Sequence, residues 1–301
     1  MAKVPVGILG ATGTIGKKLY QTLENHPWFE VTTLIGRNID DNHPCRLIFS
    51  AVSGDSAKEI ETNLAKRGYG VISSASAHRF EPFVPMMIPE VNEHHLQWIK
   101  NQTHFPGFII TKPNCSVVGI TLAMKPLLDH FGLDKMQITT CQSRSGAGKK
   151  GSELDLDDNI IPYIASEEEK IESEPNKILD SNISISATAT RVPVTDGHLA
   201  ICHFSLKNKA KNQDIIDVWN NFPSLSLPSA PSKPLLYLNE LDQPQPKIYR
   251  ERENGMGVTI GRLRFCPLFG YKCIILTHNT IRGGAGGAIL TAELLYEKDL
   301  L

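Results

Sequence analysis

Cys115 stands in Thr111-Lys112-Pro113-Asn114-Cys115-Ser116, directly ahead of a run in which Val117, Ile120, Met124, Leu127 and Leu128 recur at helical spacing before Gly132. A thiol at a helix start meets free backbone N–H groups and the positive end of the helix dipole, and both favour the nucleophilic thiolate. Taken alone, such a cysteine is as well explained as a small buried hydrophobe. The chain also carries Gly10-Ala11-Thr12-Gly13-Thr14-Ile15-Gly16 between an apolar strand and a helical stripe of Ile15, Leu19 and Leu23. This is a G-x-x-G-x-x-G variant of the dinucleotide loop, whose glycines let backbone approach a pyrophosphate at a helix N-terminus. A thiolate holds an acyl group as a thioester, and a thioester next to a nicotinamide can exchange with an aldehyde.

The elements that must position these groups follow the βαβ rhythm. Residues 4–9, 31–35, 47–52 and 69–73 read as strands of a parallel sheet, with helices after residue 14 and over 56–66. A short strand over 108–111 delivers Cys115 at a strand-to-helix turn. Beyond Leu133 the pattern changes to an antiparallel or mixed sheet, with strands expected over 136–141, within 183–207, over 258–263 and over 271–276. An acidic stretch covers 167–174, and the proline-rich segment 228–246 is expected to be a surface excursion with little regular structure. Gly283-Gly284-Ala285-Gly286-Gly287 then leads into a closing helix over 288–296. The expected fold is α/β, a doubly wound, Rossmann-like parallel sheet with a second α+β catalytic and dimerisation domain. The expected domains are 1–114, completed by 281–301, and 115–280.

With 301 residues, 41% hydrophobic and 21% charged, the chain has the balance of an ordinary globular protein with room for two domains. A net charge of -1 argues against nucleic acid or a membrane surface as partner, since either calls for a basic patch. The start resembles no signal peptide, and no apolar stretch approaches bilayer length. Six scattered cysteines with no C-x-x-C pair and no zinc-type Cys/His spacing point to a reduced, cytoplasmic protein without a metal. His94, His95 and His130 are expected on the solvated surface.

After the strand over 31–35 comes Arg37, where an NAD-specific site offers an acid to the ribose. A guanidinium suits a 2′-phosphate and favours NADP, while Asp40 and Asp41 keep NAD open.

Eight ordered blocks resemble the aspartate-β-semialdehyde dehydrogenase family, in its archaeal and fungal branch. They are G-A-T-G-T-I-G at the start, S-S-A-S-A-H-R at 73–79, P-E-V-N at 89–92, P-N-C-S at 113–116, S-G-A-G at 145–148, E-E-E-K at 167–170, R-V-P-V-x-D-G-H at 191–198 and H-N-T-I-R-G at 278–283. The resemblance implies NADPH-dependent reductive dephosphorylation of L-aspartyl 4-phosphate to aspartate 4-semialdehyde, in the biosynthesis of lysine, threonine, methionine and isoleucine. It makes Cys115 the nucleophile, His198 the general acid/base and Gln142 the residue that orients the acyl group. Arg191 then binds the substrate carboxylate and Glu167 its ammonium, with Arg79 and Lys170 on the phosphate and Asn114 also among the substrate-binding residues. Gly10, Thr12, Gly13, Thr14, Ile15 and Arg37 fall to the cofactor, as do Ser145, Gly146, Ala147, Gly148 and Asn279 near the nicotinamide. The family also implies a homodimer or homotetramer.

Seven residues separate Arg191 from His198, which would set them on opposite faces of a straight strand. Pro193 and the turn-like Thr195-Asp196-Gly197 break the run and let them converge. Only eight residues lie between Asn38 and Leu47, where relatives carry a longer segment. A malonyl-CoA-type acyl reductase and a catalytically weak cofactor-binding homologue stay open as alternatives.

Overall fold

A computed structural model describes residues 2–36, 44–52, 54 and 56–301. Arg37, Asp40 and Asp41 lie outside the described residues. The chain divides into two compact units, one of Met1–Pro113, Leu227–Ser229 and Gly284–Leu301, the other of Asn114–Ser226 and Ala230–Gly283. No helix among the described residues is long and apolar enough to cross a membrane.

The first unit is built on strands β1 (Val4–Leu9), β2 (Phe29–Ile35), β3 (Leu47–Ser50), β4 (Gly70–Ser73) and β5 (Phe108–Thr111). All pair in parallel, in the order β2-β1-β3-β4-β5, so this sheet is Rossmann-like as expected. Its central strands read as unbroken apolar runs because both faces are covered. Helices α1 (Thr14–Leu23), α2 (Ser56–Lys66) and the one-turn α3 (Pro89–Asn92) belong to this unit. Residues 227–229 join it through a buried clasp. The Ser229 N–H donates to both carboxylate oxygens of Glu293 at 3.0 Å, and His26 Nε2 donates to Oε1 at 2.7 Å. His26 Nδ1 is occupied by the N–H groups of Trp28 and Phe29, which fixes Nε2 as the donor. His95 departs from the surface role expected for it: it is fully buried, stacked on Trp98 at 3.8 Å and joined to Asn92 at 2.9 Å.

The second unit opens with α4 (Cys115–Phe131), continues through β6 (Leu133–Gln142), α5 (Glu167–Ile178), β7 (Ser184–Arg191), β8 (His198–Leu206) and α6 (Asn212–Asn220), then β9 (Leu235–Leu238), α7 (Pro246–Tyr249), β10 (Val258–Cys266) and β11 (Gly270–Thr277). After it α8 (Ala285–Glu297) closes the first unit. The six strands form one mixed sheet in the order β7-β6-β8-β11-β10-β9. The expectation for 228–246 is corrected here, since β9 lies inside that segment. Its Leu235 and Leu236 pair in parallel with Val258 and Thr259, and Leu235 is buried. Prolines at 231, 234, 244 and 246 bracket the strand without interrupting it, which an edge position tolerates.

Nearly every side of α4 is buried. It approaches β11 through Gly119, where a Cβ would lie 1.6 Å from Thr277 Oγ1. Gly119→Ala should therefore destabilise the protein by about 1–3 kcal/mol through overpacking. Adding Thr277→Ala removes the obstructing oxygen, so urea denaturation of the double variant should recover most of the loss. Simple additivity of the two changes would show that the close approach does not set the stability.

Candidate active site

Strand register gathers the site at one end of the mixed sheet. Gln142 and Arg191 are paired as the last residues of β6 and β7, and His198 and Thr277 are paired as the first residue of β8 and the last of β11. The turn between Arg191 and His198 brings both side chains to one side, as anticipated. A Cβ on Gly146 would lie 2.5 Å from Arg191 Nη1 and 3.0 Å from His198 Nε2, so the glycine leaves room for both.

Cys115 begins α4 behind a well-made N-cap: Asn114 Oδ1 accepts the Ser116 N–H at 2.9 Å. Its Sγ lies 3.4 Å from His198 Nε2. A Cβ at Gly283 would come within 2.8 Å of Cys115 Cα and Cβ, so the glycine allows the chain to press against the thiol-bearing residue.

Helix α5 supplies the carboxylates. Its Glu168 and Glu172 accept the free N–H groups of Ala189 and Ala187 on the edge strand β7, which fixes the helix along that edge. Glu167 is then buried, taking Asn114 Nδ2 at 2.9 and 3.0 Å, Gln142 Nε2 at 3.0 Å and Lys170 Nζ at 3.0 Å. Burial raises its pKa, but the Lys170 charge and the hydrogen bonds from Gln142, Lys170 and Asn114 outweigh it and hold the carboxyl below its ordinary range. Two turns along, fully buried Glu174 accepts the backbone N–H of Asn114 at 2.7 Å.

Burial pushes His198 down to about 3, with the Arg191 charge acting in the same direction and Glu167 opposing it. The imidazole is therefore neutral at rest. The Ser143 N–H donates to its Nδ1 at 3.1 Å, and the Ser143 carbonyl accepts Arg191 Nη1 at 2.9 Å. Burial lowers the Arg191 pKa, partly offset by the charges of Cys115 and Glu167. Asn279 Oδ1 accepts from Gly197 N–H at 2.9 Å, and its Nδ2 donates to Ser145 Oγ at 2.8 Å.

Cys115, His198, Gln142, Arg191, Glu167, Lys170, Asn114, Ser145, Gly146 and Asn279 thus converge in the second unit, with Ala147 and Gly148 on the open 3₁₀ segment that follows. Ser143 and Glu174 were missed. Nothing in the sequence singles out Ser143, whereas the seven-residue spacing of Glu174 from Glu167 places both on one helix face.

Arg79 and the glycine loop belong to the first unit. Arg79 is buried and donates to the carbonyls of Lys112 at 3.1 Å and Ser74 at 3.2 Å. Gly10 has φ +80°, and a Cβ at Gly16 would meet the Gly10 carbonyl oxygen at 2.2 Å, so loop and helix touch backbone to backbone. Gly13 caps α1 with no side-chain hydrogen bond to its first N–H groups. That cradle fits a pyrophosphate, as a dinucleotide requires.

Family models give an independent measure. Residues 124–282 match the semialdehyde dehydrogenase dimerisation domain, and residues 5–43 and 35–99 match the semialdehyde dehydrogenase NAD binding domain. The two pieces of the latter overlap over residues 35–43. An aspartate-semialdehyde dehydrogenase from Archaeoglobus fulgidus is 36% identical over 340 residues, covering 98% of this chain and 99% of its own. That alignment is longer than the 301 residues here, so the relative carries segments this chain lacks. One from Saccharomyces cerevisiae is 33% identical over 98% of both chains. The structure of an aspartate semialdehyde dehydrogenase with NADP from Candida albicans superposes with a TM-score of 0.89 at 31% identity, covering both chains completely. With both domain models matched and full-length relatives above 30% identity, the chain belongs to the aspartate-semialdehyde dehydrogenase family.

Proposed function

We propose that this protein is an NADP-dependent aspartate-semialdehyde dehydrogenase that interconverts L-aspartyl 4-phosphate and L-aspartate 4-semialdehyde plus phosphate. The observation that carries the proposal is the Cys115 to His198 contact of 3.4 Å, set among Arg191, Gln142 and Glu167 in one unit. The Cys115 thiolate attacks the acyl carbon, forming a C–S bond as the C–O bond to phosphate breaks and phosphate leaves with the electron pair. When bound, a reduced nicotinamide supplies the hydride that takes the acyl carbon to the aldehyde level. His198 Nε2 gives a proton to the developing oxygen and takes it back as the C–S bond breaks, returning the thiolate.

Arg191 is assigned to the substrate carboxylate, for which its planar fork is suited. Glu167 is assigned to the ammonium; that it already accepts Lys170 Nζ supports a preference for such a group. Gln142 orients the acyl oxygen from beside Glu167, and Arg79 and Lys170 receive the phosphate. Gly10, Thr12, Gly13, Thr14 and Ile15 hold the dinucleotide pyrophosphate, and the Ser145–Gly148 stretch with Asn279 faces the nicotinamide. The matched dimerisation domain supports a homodimer or homotetramer, and six free cysteines suit action in the reducing cytoplasm.

Oxidation of aspartate semialdehyde, followed by reduced-cofactor absorbance, tests the proposal: it should require phosphate or arsenate and proceed faster with NADP than with NAD. A rate indifferent to phosphate would refute it. Glu167→Gln should lower kcat/KM for aspartate semialdehyde about ten- to a hundred-fold, mainly through KM, because a charge-assisted hydrogen bond is lost. Succinate semialdehyde, which has no amino group, should respond little. Equal losses for both aldehydes would remove Glu167 from ammonium recognition and leave the malonyl-CoA-type alternative as the better reading.

A further inference from the structure

Proton traffic at His198 poses a problem that its surroundings resolve. Acting at Cys115, Nε2 must present a lone pair when it takes the thiol proton and a hydrogen when it donates one. A buried neutral ring can take that proton only in the tautomer with its own hydrogen on Nδ1, whereas the tautomer with hydrogen on Nε2 needs a donor at Nδ1, and an unmatched buried donor is costly.

Ser143 meets both needs. Its backbone N–H lies 3.1 Å from Nδ1 and serves the tautomer with hydrogen on Nε2. Its hydroxyl oxygen also lies 3.1 Å from Nδ1, and its direction of donation is fixed by the groups around it. Asn279 Oδ1 accepts the Gly197 N–H at 2.9 Å, so the amide presents an acceptor there, and the Ser143 hydroxyl donates to it at 3.2 Å. Asn279 Nδ2 donates to Ser145 Oγ, which leaves the Ser145 hydrogen free to point at Ser143 Oγ 3.2 Å away. The Ser143 oxygen is thereby left with lone-pair density for an Nδ1–H. Ser143 itself is fully buried, so water does not take over this duty.

We infer that Ser143 is a positioning residue that lets His198 exchange tautomers, its N–H holding the form that donates to Cys115 and its hydroxyl holding the form that accepts from it. In the tautomer with hydrogen on Nδ1, that hydrogen donates to Ser143 Oγ and Nε2 presents its lone pair; when Cys115 Sγ–H gives its proton to Nε2, the S–H bond breaks, an N–H bond forms, and the ring becomes the imidazolium with its Nδ1–H still on Ser143 Oγ. Reversal restores the starting set with no net proton gained. Charged and titratable groups facing the ring are Arg191 from β7, Glu167 from α5, Cys115 from α4 and His278 after β11. None of these offers Nδ1 the acceptor that Ser143 does. The inference rests on the assignment of His198 as acid and base, and it is tested without substrate so that the two can fail separately.

The test is ¹⁵N NMR of the histidine-labelled protein, with His198 assigned by loss of its signals in His198→Asn. In the wild type both ring nitrogens should show shifts intermediate between the protonated and unprotonated limits of a neutral imidazole. In Ser143→Ala, which keeps the N–H and removes the hydroxyl, Nε2 should move to the protonated limit and Nδ1 to the unprotonated one. The same variant should lose about ten- to a hundred-fold in kcat with little change in KM, the effect of an unsatisfied buried donor in the proton-carrying state. A wild-type ring already confined to one tautomer, with shifts unaltered in Ser143→Ala, would overturn the inference.

Discussion

Cys115→Ala should leave no turnover above about one part in ten thousand of the wild-type rate, while the protein folds and binds dinucleotide as before. The size of the effect follows from the covalent step: without sulfur no thioester forms, and the remaining groups only bind and polarise the acyl carbon. The selectivity follows from the packing. Alanine keeps the Cβ against which Gly283 rests, and the N-cap from Asn114 to the Ser116 N–H does not involve the thiol. Steady-state rates, circular dichroism and a cofactor-binding titration check the three parts, and a near wild-type rate would contradict the assignment of the nucleophile.

His198→Asn should lower kcat by about 10²–10⁴-fold, the range for a positioned acid and base. It should also change how stability responds to acid. Burial and the Arg191 charge hold the folded-state pKa at about 3, against 6.5 for the unfolded chain. Between those values the unfolded chain binds a proton that the folded one refuses, so His198 contributes a loss of stability as pH falls from about 6.5 toward 3. The Asn variant should therefore lose less stability than the wild type across that window in urea titrations at stepped pH. For the same reason an acid limb of kcat/KM near pH 6.5 should not be that of His198 in the free enzyme. Parallel acid-stability curves for the two proteins would show that His198 is not held neutral by the fold.

The parallel sheet was legible because a strand buried on both faces and a glycine-rich turn leave local signatures, as residues 4–16 do. Cys115 was legible for a similar reason, the helical stripe behind it being strong. His198 and Arg191 needed the family blocks, because their convergence depends on β6, β7, β8 and β11 ending together, a long-range register with no local sign. His95 was misplaced since its polar neighbours conceal a ring stacked on Trp98. Strand β9 was hidden among prolines because its partner, β10, comes some twenty residues later and supplies the pairing that local propensity does not. Ser143 meets His198 across 55 residues of sequence, a long-range contact with no local sign, so its side-chain type announced nothing.

The most direct measurement of the Cys115 chemistry is a single-turnover oxidation of aspartate semialdehyde with NADP and with phosphate withheld. A burst of reduced cofactor equal to the number of active sites should appear, and peptide mass spectrometry after acid quenching should find an aspartyl group on the peptide containing Cys115. Adding phosphate should discharge it and restore turnover. Absence of the burst in a protein that turns over with phosphate present, or an acyl group on any other residue, would contradict a Cys115 thioester.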